Sequence, residues 1–324
     1  MDEHQATGRD SNRPQFSRST KILLWAVLPA LFIGLVILSP VTAFLSLFIL
    51  APTFLLLRYD GTHPADQRVD LETFIWTYML TGTVGVAAVI LVQLAVSTAL
   101  CFALFPTTAI TVLTEVGRSE PDVANLDADA LATRHQIASD VRYWVFMLAF
   151  AFSAAAIPEE FLKYSGVAYA KRRGRIAHEQ NYVTLGAAAA LGFSTFENIG
   201  FVYAAALADN GVTDLLVSLA ERVLIGSPMH VMGGLLIGMN AACRDFRGEV
   251  LSLTRILTVP VLFHGTWDFS LFGVSALDGN VGWVHPHGKS LALVFGIAIT
   301  ILGTLTFVVQ RRFADWKIQQ KKSK

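Results

Sequence analysis

The chain has 324 residues, of which 53% are hydrophobic and 15% charged, and its 25 Lys+Arg are balanced by 25 Asp+Glu. So few charges cannot keep a soluble surface of this size dissolved, and a net charge of zero gives no basis for nucleic-acid binding. Two cysteines, Cys101 and Cys243, make no disulfide framework, and neither has a neighbour at metal-ligand spacing, so both read as small hydrophobes in helices.

In chain order, residues 1–20 are polar and are expected to form a disordered tail. The run that follows is too long for the h-region of a signal peptide. It lacks a small-x-small cleavage site and leads straight into a second apolar run. From there the apolar residues recur in runs of roughly 20, the length that crosses ~30 Å of hydrocarbon as a helix. The predicted class is therefore all-α, a polytopic transmembrane bundle of about eight spans at 22–39, 41–57, 74–105, 143–170, 181–206, 215–242, 251–274 and 290–310. The first two, separated only by Pro40, read either as two spans or as one hairpin lying partly in the membrane. The run 74–105 is too long for one straight span, so it tilts or extends beyond the lipid. The polar, acidic segment 106–140 is expected to be a solvated outer loop with a short amphipathic helix.

Charge placement orients the bundle. With the N-terminus in the cytoplasm, the inner segments hold the basic N-terminal tail, Arg58 and Arg68, the 171–175 cluster, Arg244, Arg247 and Arg255, and the basic C-terminal tail. The outer segments hold only Arg118, Arg134, Arg142 and Lys289. That asymmetry is what the positive-inside rule expects of an even span count with both termini cytoplasmic.

Against this apolar background, ionisable residues inside spans stand out, because each costs about 2.5–3.5 kcal/mol to insert. The fourth span carries Glu159 and Glu160 directly after Pro158, with Lys163 one turn on. The proline frees the carbonyl of Ala154 and predicts a kink, and Lys163 can neutralise one glutamate at i, i+3 or i, i+4. Two adjacent carboxylates in low dielectric cannot cheaply both ionise, which suits acid–base work. The fifth span carries Glu197 and Asn198 beyond a small-residue stretch, Gly186 through Gly192, that lets a neighbour approach closely. The sixth carries His230 after another helix-kinking proline, Pro228; its Glu221 and Arg222 read as interfacial pairing groups. In the seventh, His264 and Asp268 share a face at i, i+4, where an aspartate can fix the imidazole tautomer. Counted from the inner ends at 1.5 Å per residue, these groups all lie roughly 18–24 Å up their helices, so they predict one site rather than four separate pairs.

Such a set can activate water. A carboxylate can take its proton while imidazoles stabilise the oxyanion, or His and Glu can hold a Zn²⁺. The spacing is not HExxH, so it does not itself prove a metal, and no GxSxG or Cys–His arrangement supports a covalent route. A different class, an ion- or proton-coupled transporter or a non-catalytic scaffold, would also use midplane carboxylates, but no inverted repeat is seen.

Taken in order, EExxK (Glu159, Glu160, Lys163), FxxxEN (Phe193, Glu197, Asn198), the kinked helix with His230 and Gly234, and HxxxD (His264, Asp268) resemble the PrsW family of intramembrane proteases, over roughly residues 140–275. The family groups with the CAAX-processing and bacteriocin-processing membrane proteases. The resemblance implies an endopeptidase of a bacterial plasma membrane acting on membrane-anchored proteins, anti-sigma factors among them. It implies that Glu159 and Glu160 supply the water-activating carboxylate, that Glu197, His230 and His264 complete a water or metal site (zinc, if a metal is bound), and that Asp268 orients His264. The implied organisation is a tail (1–20), N-terminal spans with an acidic outer loop (21–140), a catalytic membrane core (141–275), and an outer loop, last span and basic tail (276–324).

Overall fold

A computed structural model describes residues 16–208, 211–286 and 288–322. Among them every regular element is helical. In chain order they are α1 Arg18–Leu38, α2 Pro40–Asp60, α3 Ala65–Leu104, α4 Ala109–Val116, α5 Glu120–Ala124, α6 Ala128–Ser139, α7 Val141–Arg172, α8 Glu179–Ala208, α9 Val212–Arg247, α10 Leu253–Leu277 and α11 Gly288–Lys322. Seven of these (α1, α2, α3, α7, α8, α9 and α11) are long and apolar enough to cross a membrane. The predicted seventh span, 251–274, forms the 25-residue α10, whose Arg255, His264 and Asp268 leave it less apolar than the others. The protein is a multi-pass, all-α membrane bundle, and apolar side chains such as Trp25, Ile37, Leu55 and Ile299 point outward where lipid would lie.

Of the predicted polar tail, residues 1–15 lie outside the described residues, and helix begins at Arg18, capped by the Ser17 hydroxyl accepting from the Thr20 N–H. The first two apolar runs are separate helices. Ser39 breaks them with an extended backbone, φ −156° and ψ 95°, and its hydroxyl accepts from the Thr42 N–H to start α2 at Pro40.

The middle of the bundle is α8, buried continuously from Gln180 to Thr195 and packed against α2, α3, α7 and α9. Its small-residue stretch explains why. A Cβ built on Gly186 would sit 2.2 Å from the Gly234 carbonyl oxygen, and one on Gly234 would sit 2.3 Å from that of Gly186. The α8 and α9 backbones therefore touch with no side chain between them, the close approach that small residues permit in lipid. Asn198, fully buried, ties the two helices again through its amide to the Ser194 and Ser227 hydroxyls.

The helices that carry the ionisable residues are not simply kinked at proline. A seven-residue π segment, Phe150–Ala156, precedes Pro158, and a five-residue one, Arg222–Gly226, precedes Pro228. The Ile157 N–H bonds the Phe152 carbonyl and the Ser227 N–H that of Arg222, five residues back in each case. A proline cannot donate and its ring crowds the preceding turn; widening that turn relieves the clash, and π turns of this kind recur at functional sites.

The outer segment is more ordered than its composition suggested. Helices α4 and α6 fold down on the ends of α7 and α10 around Phe105, Ala109, Val112, Ala138, Tyr143 and Phe146. Arg134, 1% exposed, donates to the Glu115 carbonyl (3.0 Å) and carboxylate (2.9 Å) and to the Val281 carbonyl (2.6 Å). A polar sequence read as solvated thus contains a buried ion pair that pins it in place.

Candidate active site

The fold brings all six predicted site residues into one cluster. Glu159 and Glu160 project from the first turn after the π segment of α7, and Lys163 stands one turn along. Glu160 and Lys163 are the pair: the Lys163 ammonium, fully buried, donates to Glu160 Oε1 at 2.5 Å and rests 5.5 Å from the Phe193 ring centre. The same Nζ lies 2.8 Å from His230 Nδ1. Lys163 therefore joins α7 to α9, a link that its one-turn spacing from the glutamates did not reveal.

His264, on α10, is held at both nitrogens. Its Nδ1 donates to Glu160 Oε1 at 2.8 Å, and its Nε2 lies 3.4 Å from Glu159 Oε2 and 3.3 Å from Asp268 Oδ2. The carboxylate that fixes the imidazole through Nδ1 is thus Glu160 from another helix, while Asp268 sits beside Glu159 at the other nitrogen. His230, on α9, faces Glu197 Oε2 at 3.2 Å through Nε2, and its ring centre is 5.3 Å from that of His264, edge to face.

These groups lie in the wall of a cavity of about 530 Å³. Its other walls are largely apolar: Val86, Val89 and Ile90 of α3, Phe196 and Phe201 of α8, Trp267 and Leu271 of α10, and Trp283 from the loop after α10. Two residues there were not singled out as site residues in the sequence. Gln93 of α3 places its amide nitrogen 3.5 Å from Glu159 Oε1; its only sequence signal is that it is the one amide in a 19-residue apolar helix segment. Arg222, read as interfacial, points into the cavity 3.8 Å from Glu197 Oε2.

One Glu159 oxygen, one His230 nitrogen and one His264 nitrogen lie within 4.8 Å of one another, on three different helices. Two imidazoles and a carboxylate are a donor set suited to a divalent transition metal. Two observations favour the fit. Glu159 Oε2 and Glu160 Oε2 are buried with no hydrogen-bond partner among the described residues, and His264 already carries a carboxylate on the nitrogen turned away from the trio. Buried carboxylate oxygens without partners are costly unless something else occupies the position they face. Glu197 belongs to the same cluster but lies outside that trio; with Nδ1 of His230 engaged by Lys163, a metal at Nε2 would take the place of the Glu197 contact and leave that carboxylate free.

The model of a protein family described as PrsW family intramembrane metalloprotease matches residues 70–302. The match runs wider than the motif-bearing segment 140–275, taking in α3 and the helices α4 to α6, in keeping with the cavity wall that α3 supplies. Neither a search of curated proteins nor one of solved structures found a match.

Proposed function

The chain belongs to the PrsW family of intramembrane metalloproteases, and from that premise we propose that it cuts a peptide bond of a membrane-anchored protein with water activated in the α7–α10 cavity. The observation that carries this reading is the trio of Glu159, His230 and His264 atoms, drawn from three helices and gathered at an otherwise apolar cavity inside a membrane bundle. In the proposed mechanism Glu159, His230 and His264 would hold the metal, a zinc ion. When bound, it supplies Lewis acidity, polarising the scissile carbonyl and making its water acidic enough to lose a proton near neutral pH.

The chain's own groups do the rest. Glu160, bonded to Lys163 and to His264 Nδ1, positions the imidazole and turns its Nε2 toward the cavity. Glu197, whose Oε2 stands 3.2 Å from His230 Nε2, accepts the proton of the attacking water and returns it to the leaving amine nitrogen as the C–N bond breaks. Asp268 shares the His264 Nε2 side and steadies the same water. The apolar walls keep bulk water from competing and match an unwound stretch of substrate helix. We further propose that the substrate has a single span, an anti-sigma factor by family resemblance, and that the protein sits in a bacterial plasma membrane with both termini in the cytoplasm.

The test is to co-express single-span candidate substrates with wild type, Glu160→Gln and His264→Ala, and to follow cleavage by immunoblot and mass spectrometry. Only wild type should cut; equal processing by all three ends the proposal. Elemental analysis of purified wild type and His230→Ala is expected to find about one zinc per chain in the first and little in the second.

A further inference from the structure

Among the described residues, arginines shielded from solvent serve the fold by donating hydrogen bonds. Arg134 makes three to Glu115 and Val281, Arg247 grips the Glu179 carboxylate and the Trp316 carbonyl, and Arg312 reaches Asn240 and Glu249. Arg222 does not follow this pattern. Its guanidinium is 3.8 Å from Glu197 Oε2, beyond hydrogen-bond reach, and its central carbon stands 3.2 Å from the Phe201 ring centre. None of its side-chain donors bonds a described residue, although the side chain is only 22% exposed and faces the cavity. A cation with five donors is expensive to keep this way inside a membrane span. Stacking on Phe201 and an ion pair with Glu197 that makes no hydrogen bond offset only part of that cost.

Its position says what it is kept for. Arg222 precedes His230 on α9 and its guanidinium reaches back toward it: Nη1 is 3.8 Å from Glu197 Oε2, which is itself 3.2 Å from His230 Nε2, so the cation stands beside the metal-ligating groups. It stands toward the end of the bundle capped by the loop after α10, where His285 lies 3.5 Å from the neighbouring Glu221. A planar guanidinium with its donors turned into a cavity matches a carboxylate in a two-point grip. The surrounding wall, Ile90, Phe201 and Trp283, offers a peptide no other positive partner.

We infer that Arg222 is a specificity residue that binds an acidic side chain of the peptide substrate on the cap side of the bond that is cut. This rests on the protease reading of the same cavity. At about 3.3 Å per extended residue, a guanidinium this near His230 places the acidic residue about one to two positions from that bond.

The experiment uses full-length protein in lipid nanodiscs and a reporter helix whose cut has been located by mass spectrometry. Reporter variants carry Glu, Gln or Lys at each of the four positions on the cap side of the cut. Each is offered to wild type, Arg222→Lys, Arg222→Gln and Arg222→Glu. Wild type is expected to favour Glu over Gln at one of these positions by about tenfold or more, the scale of a charge-assisted hydrogen bond. Arg222→Lys should keep that preference, Arg222→Gln should lose it, and Arg222→Glu should turn it toward Lys. Because each result is a ratio between reporters, a variant that is merely less well folded slows all of them alike and leaves the ratio in place. An unchanged Glu preference in Arg222→Gln overturns the inference, as does equal cleavage of all reporters by wild type; the latter leaves the protease reading intact. If wild type cuts no reporter at all, the protease reading itself fails, and this inference falls with it.

Discussion

Two regions of this protein bury charge, and they do it differently. In the cap formed by α4, α5 and α6, Arg134 and Glu115 are both hidden; Glu115 accepts from Arg134 and from Arg118, and Arg134 also donates to the Glu115 and Val281 carbonyls. In the α7–α10 cluster the charges are equally hidden, yet two carboxylate oxygens, Glu159 Oε2 and Glu160 Oε2, have no hydrogen-bond partner among the described residues. Both regions incur the desolvation cost of a buried ion and recover part of it through hydrogen bonds inside the protein; the cap leaves one donor unpaired, Arg134 Nε, whereas the cluster leaves acceptors. The contrast teaches that burial of charge alone does not mark a site. Acceptors left open beside imidazoles do.

The largest expected effect tests the open side of that contrast. Glu159→Gln or His264→Ala should abolish detectable cleavage, because each removes a group proposed to hold the metal that activates the water. Compared metal-free, Glu159→Gln should leave the melting temperature unchanged or raised, because one of two adjacent buried carboxylates is gone; a large drop there would erase the distinction between the regions. In the cap, Arg134→Ala should destabilise by about 2–3 kcal/mol: Glu115 keeps Arg118, but its buried partner and the bonds to two backbone carbonyls are lost. Thermal unfolding in detergent measures this, with zinc content per folded molecule expected to stay at the wild-type value. Gly234→Ala pushes a methyl group against the Gly186 carbonyl and is expected to cost about 1–3 kcal/mol, lowering stability and cleavage together because α8 and α9 carry Glu197 and His230. The smallest effect belongs to Gly303→Ala on α11, where nothing lies within 4 Å of the added carbon. There the helix should gain about 1 kcal/mol or less, with cleavage unchanged.

Much of this was legible in the sequence because membrane helices constrain it tightly. Apolar runs mark the spans, and a fixed rise per residue turns sequence position into depth, so Glu159, Glu197, His230 and His264 could be placed on one level without coordinates. Azimuth was less legible. The i, i+4 spacing of His264 and Asp268 suggested that they pair to fix the imidazole, but Nδ1 is met by Glu160 from α7, a contact between helices that no local spacing encodes. Gln93 was missed for the same reason: its partner lies on another helix, and one amide among aliphatic residues resembles ordinary variation. The cap was misjudged because acidic composition speaks for solvent, while the Arg134–Glu115 pair depends on a chain reversal between α4 and α6.

The widened turn ahead of Pro158 has one more consequence. A π turn amounts to a surplus residue accommodated in a helix, and removing that residue would restore ordinary winding. Everything after it would then rotate by about 100° about the helix axis. Glu159 and Glu160 would sweep away from His264 although neither had been altered and the helix would still form. The aim of the two acids is therefore set upstream of them, by the count of residues in 150–156, and a single deletion there would disarm the protein as thoroughly as changing the acids themselves.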